Sequence, residues 1–227
     1  LFDWELGYQF AGSSWNAGLN LYWMRYKDQL VQTGEVSDIG EALTTNISDS
    51  YRIGAELVAG VDVTRWLRLE GNAALSRNRL LDFDEYVEDW DNGVTVLHYT
   101  DKALAYSPDA ILNGFLNVHF GDFSAVWHTG YVSRMYLDNS ENTDRSLPAY
   151  SLSDLSLGYK WKFARVLKEL ELGVKAYNVF SARVAQSGWV YSAICESYGH
   201  PDDNRYYQIG FIPVAPLTVL GHIALRF

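Results

Sequence analysis

Apolar residues alternate with polar or small ones along most of this chain, and the pattern is clearest in its last nine residues. There one parity holds Val219, Gly221, Ile223, Leu225 and Phe227, and the other holds Leu220, His222, Ala224 and Arg226. Successive side chains of a β-strand point to opposite faces, so a period of two places each set on its own face. The pattern therefore predicts strands that separate an apolar medium from a wet one.

The same alternation predicts nine strands. They cover about residues 1–10, 15–33, 48–63, 66–80, 106–120, 123–137, 149–163, 169–184 and 213–227. Most are longer than the usual globular strand of about five or six residues. A tilted strand that crosses a membrane needs about 9 to 11 residues, which these segments supply. Residues 187–212 are expected to form an extracellular excursion with a short hairpin of its own.

The connections between these strands alternate between short and long. The short ones are residues 11–14, 64–65, 121–122 and 164–168, and the long ones are 34–47, 81–105, 138–148 and 185–212. Aromatic residues flank the short turns: Phe10, Trp15, Trp66, Phe120, Phe123, Trp161 and Phe163. Outer-membrane barrels have short turns on one side, long loops on the other and aromatic girdles at both interfaces. We therefore expect one side to hold the loops around Asp89, Glu141 and His200, and the other to hold Ser13, Arg65, Asp122 and Lys168.

Composition fits an antiparallel transmembrane β-barrel and excludes several other classes. Aromatic residues make up 15% of the chain, an excess that two interfacial girdles explain. The mean hydropathy of -0.14 agrees with a barrel, because only alternate residues face lipid. The net charge of -10 argues against a nucleic-acid partner. The alternative fold is a soluble β-sandwich of the carbohydrate-binding type, whose apolar faces would pack on each other.

One short motif resembles a known family. Tyr177-Asn178-Val179-Phe180 resembles the N-L-F element near the end of TonB-dependent outer-membrane receptors, with Val179 in place of the usual Leu. The stretch Tyr51-Arg52-Ile53-Gly54-Ala55-Glu56-Leu57, followed by a turn and Trp66-Leu67, is similar to another element of that family. The resemblance covers essentially the whole chain.

The resemblance implies a barrel of about 22 strands closed around an N-terminal plug. Residues 1–227 would then be the C-terminal segment of one barrel domain, with the plug and the earlier strands outside this chain. It also implies import of a scarce or large nutrient, such as a ferric siderophore, driven through TonB. A passive outer-membrane porin is the alternative transport function.

The same resemblance implies a location and partners. The protein is expected in the bacterial outer membrane, in contact with lipid and lipopolysaccharide. TonB would bind through the absent N-terminal region. The barrel assembly machinery would recognise the terminal strand through Ile223, Leu225 and Phe227.

A candidate ligand surface comes from aromatic residues in the long connections. These residues are Trp90, Trp189, Tyr191, Tyr198, Tyr206 and Tyr207. Aromatic side chains combine a large apolar face with a polar edge, which suits siderophores, sugars and peptides. No catalytic frame such as G-x-S-x-G occurs, so we expect no enzymatic activity and no cofactor.

The remaining polar residues are given structural roles. The acidic run 82–91 is predicted to be a solvated extracellular loop and not a metal site. His119, His128 and His222 are predicted to face the lumen, and His98 and His200 to lie in loops. Cys195, the single cysteine, has no disulfide partner within the chain and is predicted to be inert.

Overall fold

The computed structural model describes residues 1–36, 42–164, 166–198 and 204–227. His200, Arg165 and part of the long connection 34–47 lie outside these residues. The described strands are β1 (Phe2–Ala11), β2 (Trp15–Tyr26), β3 (Gln29–Val36), β4 (Ala42–Ile47), β5 (Ser50–Asp62), β6 (Leu67–Asp89), β7 (Gly93–Ala103), β8 (Ala110–Phe120), β9 (Phe123–Val132), β10 (Met135–Tyr136), β11 (Ser146–Leu147), β12 (Tyr150–Lys162), β13 (Glu169–Tyr177), β14 (Ala185–Ile194), β15 (Arg205–Pro213) and β16 (Thr218–Arg226). A 3-10 turn, Thr143–Arg145, precedes β11. Within these residues no helix has the length and apolarity to cross a membrane.

In the described part of the chain, nine strands form one antiparallel wall. Their order is β1-β2-β5-β6-β8-β9-β12-β13-β16, and each pairs with its neighbour in register. These nine are the nine predicted strands, so the predicted all-β antiparallel architecture is confirmed. After each strand of the wall, the chain returns to form the neighbouring strand of the wall. The order of the nine strands in space is therefore their order in the sequence.

Five predicted strands are too long: the fifth and the ninth begin too early, since β8 starts at Ala110 and β16 at Thr218, and three others end too late. The second was expected to continue to Thr33, but β2 ends at Tyr26 and Asp28 takes a left-handed conformation with φ of 56°. The eighth was expected to reach Val184, but β13 ends at Tyr177 and Asn178 has φ of 49°. A positive φ breaks the extended backbone, and Asp and Asn tolerate it better than most residues. The sixth was expected to cover 123–137, but β9 ends at Val132 and the short strand β10 follows it.

The sequence predicts a loop for the connection 81–105, but the structure shows a long hairpin there. β6 runs through the acidic segment to Asp89, and β7 returns from Gly93. The acidic run as far as Asp89 and His98 therefore lie on strands, and Trp90 and Asp91 lie in the turn. Burial alternates along β6, where Phe83, Glu85 and Val87 are buried between exposed neighbours. The six carboxylates between residues 82 and 91 masked this period of two in the sequence.

Cross-strand register confirms the two faces of the wall. Leu69 pairs with Leu116, and Leu116 pairs with Trp127, so one row is apolar across three strands. The opposite face carries Glu70 and Asn117, which lie diagonally across β6 and β8 and are joined by a hydrogen bond of 2.8 Å. Leu157 and Leu172 share the apolar face, whereas Lys160 and Glu171 face the other side and form a 3.3 Å ion pair.

The wall has two different edges. The short turns lie along one edge with their aromatic residues, including Phe10 and Trp15, whose rings stack 4.2 Å apart. Phe227 ends at this edge, because the Lys168 N–H donates to the carbonyl of Arg226. The other edge carries the hairpins β3–β4, β6–β7, β10–β11 and β14–β15. At their base is a small apolar core of Val31, Ile47, Leu80, Phe83 and Leu104.

Candidate functional site

Two of these hairpins combine into one unit. We call β14–β15 and the segment of β6–β7 from Asp82 to Thr100 the outer hairpins. β14 pairs in parallel with the tip of β6, so that Ala193 lies opposite Glu88 and Ile194 opposite Asp89. The N–H of Trp90 donates to the carbonyl of Ile194 at 3.1 Å. Residues more than 100 positions apart are thereby held in one small sheet.

A buried ion pair joins the inner faces of the outer hairpins. The guanidinium of Arg205 on β15 donates two hydrogen bonds of 2.9 Å to the carboxylate of Glu85 on β6. The two side chains are 2% and 3% exposed, and Arg205 also donates to the hydroxyl of Ser192 at 3.2 Å. Burial, followed by the charge of Glu85, raises the pKa of Tyr99 to about 12. A paired and hydrogen-bonded charge of this kind is costly to break by removing one partner.

A second buried arginine lies next to this pair. Arg145, from the segment between β10 and β11, donates to the Asp138 carboxylate at 2.6 Å and to the Ser140 hydroxyl at 2.7 Å. Its guanidinium carbon lies 5.7 Å from the ring centre of Tyr207, within the range of a cation–π interaction. The segment that follows β9 is thus packed against the outer hairpins through polar groups.

The turn of the β6–β7 hairpin is fixed by one carboxylate. Asp89 accepts the N–H groups of Asp91 and Asn92, each at 3.0 Å, and the hydroxyl of Thr95 at 2.8 Å. The hydrogen bond from Thr95 is the main cause of a lowered pKa at Asp89. These bonds hold the turn that carries Trp90.

The outer face of the same unit is aromatic. The ring of Trp90 contacts that of Tyr206, with centroids 5.5 Å apart. The hydroxyl of Tyr191 donates to Glu88 at 2.6 Å, and burial and then this contact raise the pKa of Tyr191. Trp189 lies two residues before Tyr191 on the same face of β14, where its indole covers Gly210 and leaves no room for a Cβ there.

The structure groups four of the six predicted ligand residues and separates two. Trp90, Trp189, Tyr191 and Tyr206 share the outer face, which we call the aromatic face. Their exposure varies, and Trp189 remains 51% exposed. Tyr207 points to the opposite face and packs on Arg145. Tyr198 is 75% exposed near the hairpin tip, beside residues outside the described part of the chain.

Sequence reasoning missed the polar residues that position this face. Arg205 was not singled out, and Glu85 and Glu88 were predicted only as part of a solvated acidic run, because charges in long connections resemble solvated residues. The available signal was the placement of Glu85 between Phe83 and Val87, both of which are buried. Across the described residues, no three His, Cys, Asp or Glu side chains are grouped closely enough to hold a metal ion.

Comparisons with known proteins agree with this geometry. The family described as "TonB dependent receptor-like, beta-barrel" matches residues 3–179. No curated protein matches the sequence. The solved structures that resemble the chain include the ferric-catecholate import receptor Fiu from E. coli K12, with 16% identity and a TM-score of 0.62 over 99% of this chain and 27% of that one.

Two further structures show the same fold. The siderophore receptor PiuA from Acinetobacter baumannii has 13% identity and a TM-score of 0.65 over 99% of this chain and 28% of that one. The ferric yersiniabactin uptake receptor FyuA from Yersinia pestis has 16% identity and a TM-score of 0.61 over 99% and 30%. The chain therefore spans less than a third of the length of these receptors. The family match covers most of the chain and excludes the soluble sandwich, and the chain belongs to the TonB-dependent receptor β-barrel family, of whose barrel it forms a part.

Proposed function

We propose that this chain supplies wall and extracellular surface to a TonB-dependent importer of the bacterial outer membrane. In this proposal residues 1–227 are the C-terminal segment of a barrel of about 22 strands, and a plug and the earlier strands lie elsewhere in the protein. The aromatic face binds a large nutrient such as a ferric siderophore. The role of the chain is binding and passage, not catalysis.

The observation that carries this proposal is the pairing of an exposed aromatic face with a buried ionic core in the same two hairpins. Aromatic residues of loops normally pack away from water, yet Trp90 and Trp189 keep 47% and 51% of their surface exposed. The Glu85–Arg205 pair behind them holds the hairpins in place before any ligand arrives. Binding then costs less ordering entropy, which is the general advantage of a preorganised site.

Uptake in whole cells tests the proposal. The full receptor would be expressed in a host that lacks its own catecholate importers, and uptake of a radiolabelled ferric catecholate would be measured. The double substitution Trp90→Ala and Tyr206→Ala should weaken binding by about tenfold, since central aromatic residues dominate many interfaces. Phe120→Ala at the short-turn edge is the matched control and should leave binding unchanged.

The same assay separates active import from passive flow. Uptake that stops when TonB is deleted supports the proposed importer. Uptake that continues at the same rate without TonB would support the passive porin. Equal uptake by the aromatic double variant and the native receptor would refute the ligand role of the aromatic face.

We further propose that the terminal strand serves assembly, with Ile223, Leu225 and Phe227 as the residues that the barrel assembly machinery reads. Ile223 and Leu225 lie on one parity of β16, and Phe227 continues that parity directly after the strand; their exposed fractions are 71%, 54% and 69%. Phe227→Ala should lower the amount of receptor in the outer membrane while uptake per molecule stays normal. Arg226→Ala on the opposite parity is the control. A normal amount of the Phe227 variant would remove this role.

A further inference from the structure

The chain contains the dipeptide Asn-Gly twice, in two different settings. Asn92-Gly93 lies at the tip of the β6–β7 hairpin, and Asn113-Gly114 lies inside the wall strand β8. Of the dipeptides that begin with asparagine, Asn-Gly cyclises most readily, because glycine has no Cβ to shield its backbone nitrogen. The two copies allow the effect of the fold on this chemistry to be compared within one chain.

The reaction is a cyclisation within the main chain that needs only water. The backbone nitrogen of the glycine loses its proton and attacks Cγ of the asparagine side chain. The new N–Cγ bond closes a succinimide ring, and the amide nitrogen leaves with that proton as ammonia. Water then opens the ring at either carbonyl group, which gives aspartate or isoaspartate. The sum is one water consumed and one ammonia released, with no oxidation or reduction.

The hairpin tip leaves Asn92-Gly93 open to this reaction. Both residues are exposed, and Asn92 belongs to the turn that joins β6 to β7. Gly93 has φ of 101°, which other residues rarely adopt, and a Cβ built there would meet no other part of the chain within 4 Å. Exposed hairpin tips also open locally at little cost in free energy. The nitrogen of Gly93 therefore has the space and the freedom to reach the side chain of Asn92.

The wall holds Asn113-Gly114 in place. A Cβ built at Gly114 would also meet nothing within 4 Å, so space does not distinguish the two glycines. The difference is in the sheet, because β8 is paired with β6 on one side and with β9 on the other at this point. The side chain of Asn113 is fixed as well, since its nitrogen donates to Asn72 and its oxygen lies against Nε2 of His128, each at 3.0 Å. Cyclisation here requires the strand to leave the sheet.

Asn92 also helps to hold the turn that carries Trp90. Its backbone N–H donates to Oδ1 of Asp89 at 3.0 Å, and its side-chain amide donates to Oδ2 at 3.3 Å. An aspartate at residue 92 puts a carboxylate where the amide now donates, and two carboxylates at that distance repel each other. Isoaspartate in addition routes the main chain through its side chain, which inserts an extra carbon into the turn. Either product therefore weakens the bonds to Asp89.

We propose that Asn92 is a site of spontaneous deamidation, and that the reaction loosens the turn that carries Trp90. The conversion takes place in the folded receptor at residue 92, whereas the wall protects residue 113. It adds a negative charge beside Asp89 and changes the support of the aromatic face as the receptor ages. The proposal does not rest on the proposed function, because the reaction requires neither a nutrient nor TonB.

Ageing of the full receptor tests the conversion. Receptor folded in detergent and receptor denatured in guanidinium chloride would be kept at neutral pH, and peptide mass spectrometry would follow residues 92 and 113. In the folded receptor Asn92 should convert at least about tenfold faster than Asn113, because core strands open far less often than exposed turns. In the denatured receptor the two rates should become similar. Equal rates in the folded receptor, no conversion of Asn92 there, or a difference that persists after denaturation would overturn the proposal.

The products and one substitution identify the route. Isoaspartate at residue 92 is expected, because ring opening yields it and direct hydrolysis of the side-chain amide yields only aspartate. Asn92→Gln keeps an amide but requires a larger ring that closes more slowly, so conversion at residue 92 should almost stop. Asn113→Gln is the matched control and should leave conversion at residue 92 unchanged. Aspartate without isoaspartate, or an equal rate in Asn92→Gln, would refute the cyclisation.

Asn92→Asp reproduces one product and tests the effect on the turn. Hydrogen exchange of the full receptor should become faster at the backbone amides of residues 88–95 and stay unchanged in β8. Asn92→Ser, which loses the amide without adding a charge, should have a smaller effect. Unchanged exchange at the tip in Asn92→Asp would refute the loosening, and an equal effect of Asn92→Ser would remove the role assigned to the new charge.

Discussion

The wall exposes large apolar side chains, whereas the outer hairpins bury charged ones. On the wall, large apolar residues such as Leu69 and Leu116 stay 40% exposed within this chain. In the outer hairpins, the charged residues Glu85 and Arg205 are almost fully buried, and so is Arg145 beside them. The apolar residues of the wall lack apolar cover within the described part of the chain, and we propose that lipid and the rest of the barrel cover them. The hairpins find their partners within the chain, and these partners are polar.

This difference explains why one region can be recognised from sequence and the other cannot. An external apolar medium imposes a strict period of two, which any long strand displays. A polar core needs particular residues at particular places, and its pairs join positions far apart, as Glu85 and Arg205 do. No local sequence pattern predicts such a pair.

The largest expected effect is in the outer hairpins. Arg205→Leu leaves Glu85 buried without its partner and should destabilise the hairpins by about 3–5 kcal/mol. Hydrogen exchange of the full receptor should show faster exchange in β14 and β15 and unchanged exchange in β8. Adding Glu85→Leu removes the stranded charge and should restore most of the protection. Protection that stays lost in the double variant would show that the charges act beyond their mutual pairing.

The wall should show a smaller effect that depends on the face. Leu116→Arg places a charge toward lipid and should cost about 2–4 kcal/mol near the membrane centre. Asn117→Arg, one residue later, faces Glu70 and should cost much less. Urea refolding of the full receptor into lipid vesicles would measure both. Equal costs would show that the two faces meet the same medium.

Asn178 connects the two regions and should give an intermediate result. Its amide makes two bonds of 3.0 Å, and its oxygen accepts the N–H of Ala182 at 2.8 Å. Asn178→Ala should destabilise residues 178–184 and 214–217 by about 1–3 kcal/mol, measured by hydrogen exchange. Asn178→Gly loses the same bonds but accepts the φ of 49°, and should cost less. A greater loss in the glycine variant would argue against backbone strain at this position.

The smallest effect concerns pH at an exposed site on β7. A hydrogen bond to Asp84, 2.8 Å away, is the main cause of a raised pKa at His98, and the charge of Asp82 adds to it. Because the folded pKa is the higher one, the stabilisation is complete below the unfolded pKa and is lost as pH rises through the folded pKa. An NMR titration should show the His98 pKa fall in Asp84→Asn. An unchanged pKa would mean that this contact is absent in solution.

Much of the wall could be predicted from the sequence. The nine strands, their antiparallel order and the two faces follow from alternation and from the short turns near Trp15, Trp66 and Phe123. The outer hairpins were predicted only in part. The excursion 187–212 was expected to contain a hairpin, and β14–β15 is that hairpin. The extension of β6 was hidden by its charges. The separation of Tyr207 from Tyr206 follows from alternation once β15 is assigned as a strand, but no period reveals the buried Arg145 on which Tyr207 packs.

A nitroxide scan along β8 tests the central claim most directly. Single labels at residues 111–118 of the full receptor in lipid vesicles would report contact with oxygen, which concentrates in lipid, and with a water-soluble nickel reagent. We predict that oxygen contact peaks at Leu112, Leu116 and Val118, and that it is low at Asn113, Phe115 and Asn117. A profile without this alternation, or one with the opposite phase, would contradict a wall that separates lipid from a polar lumen.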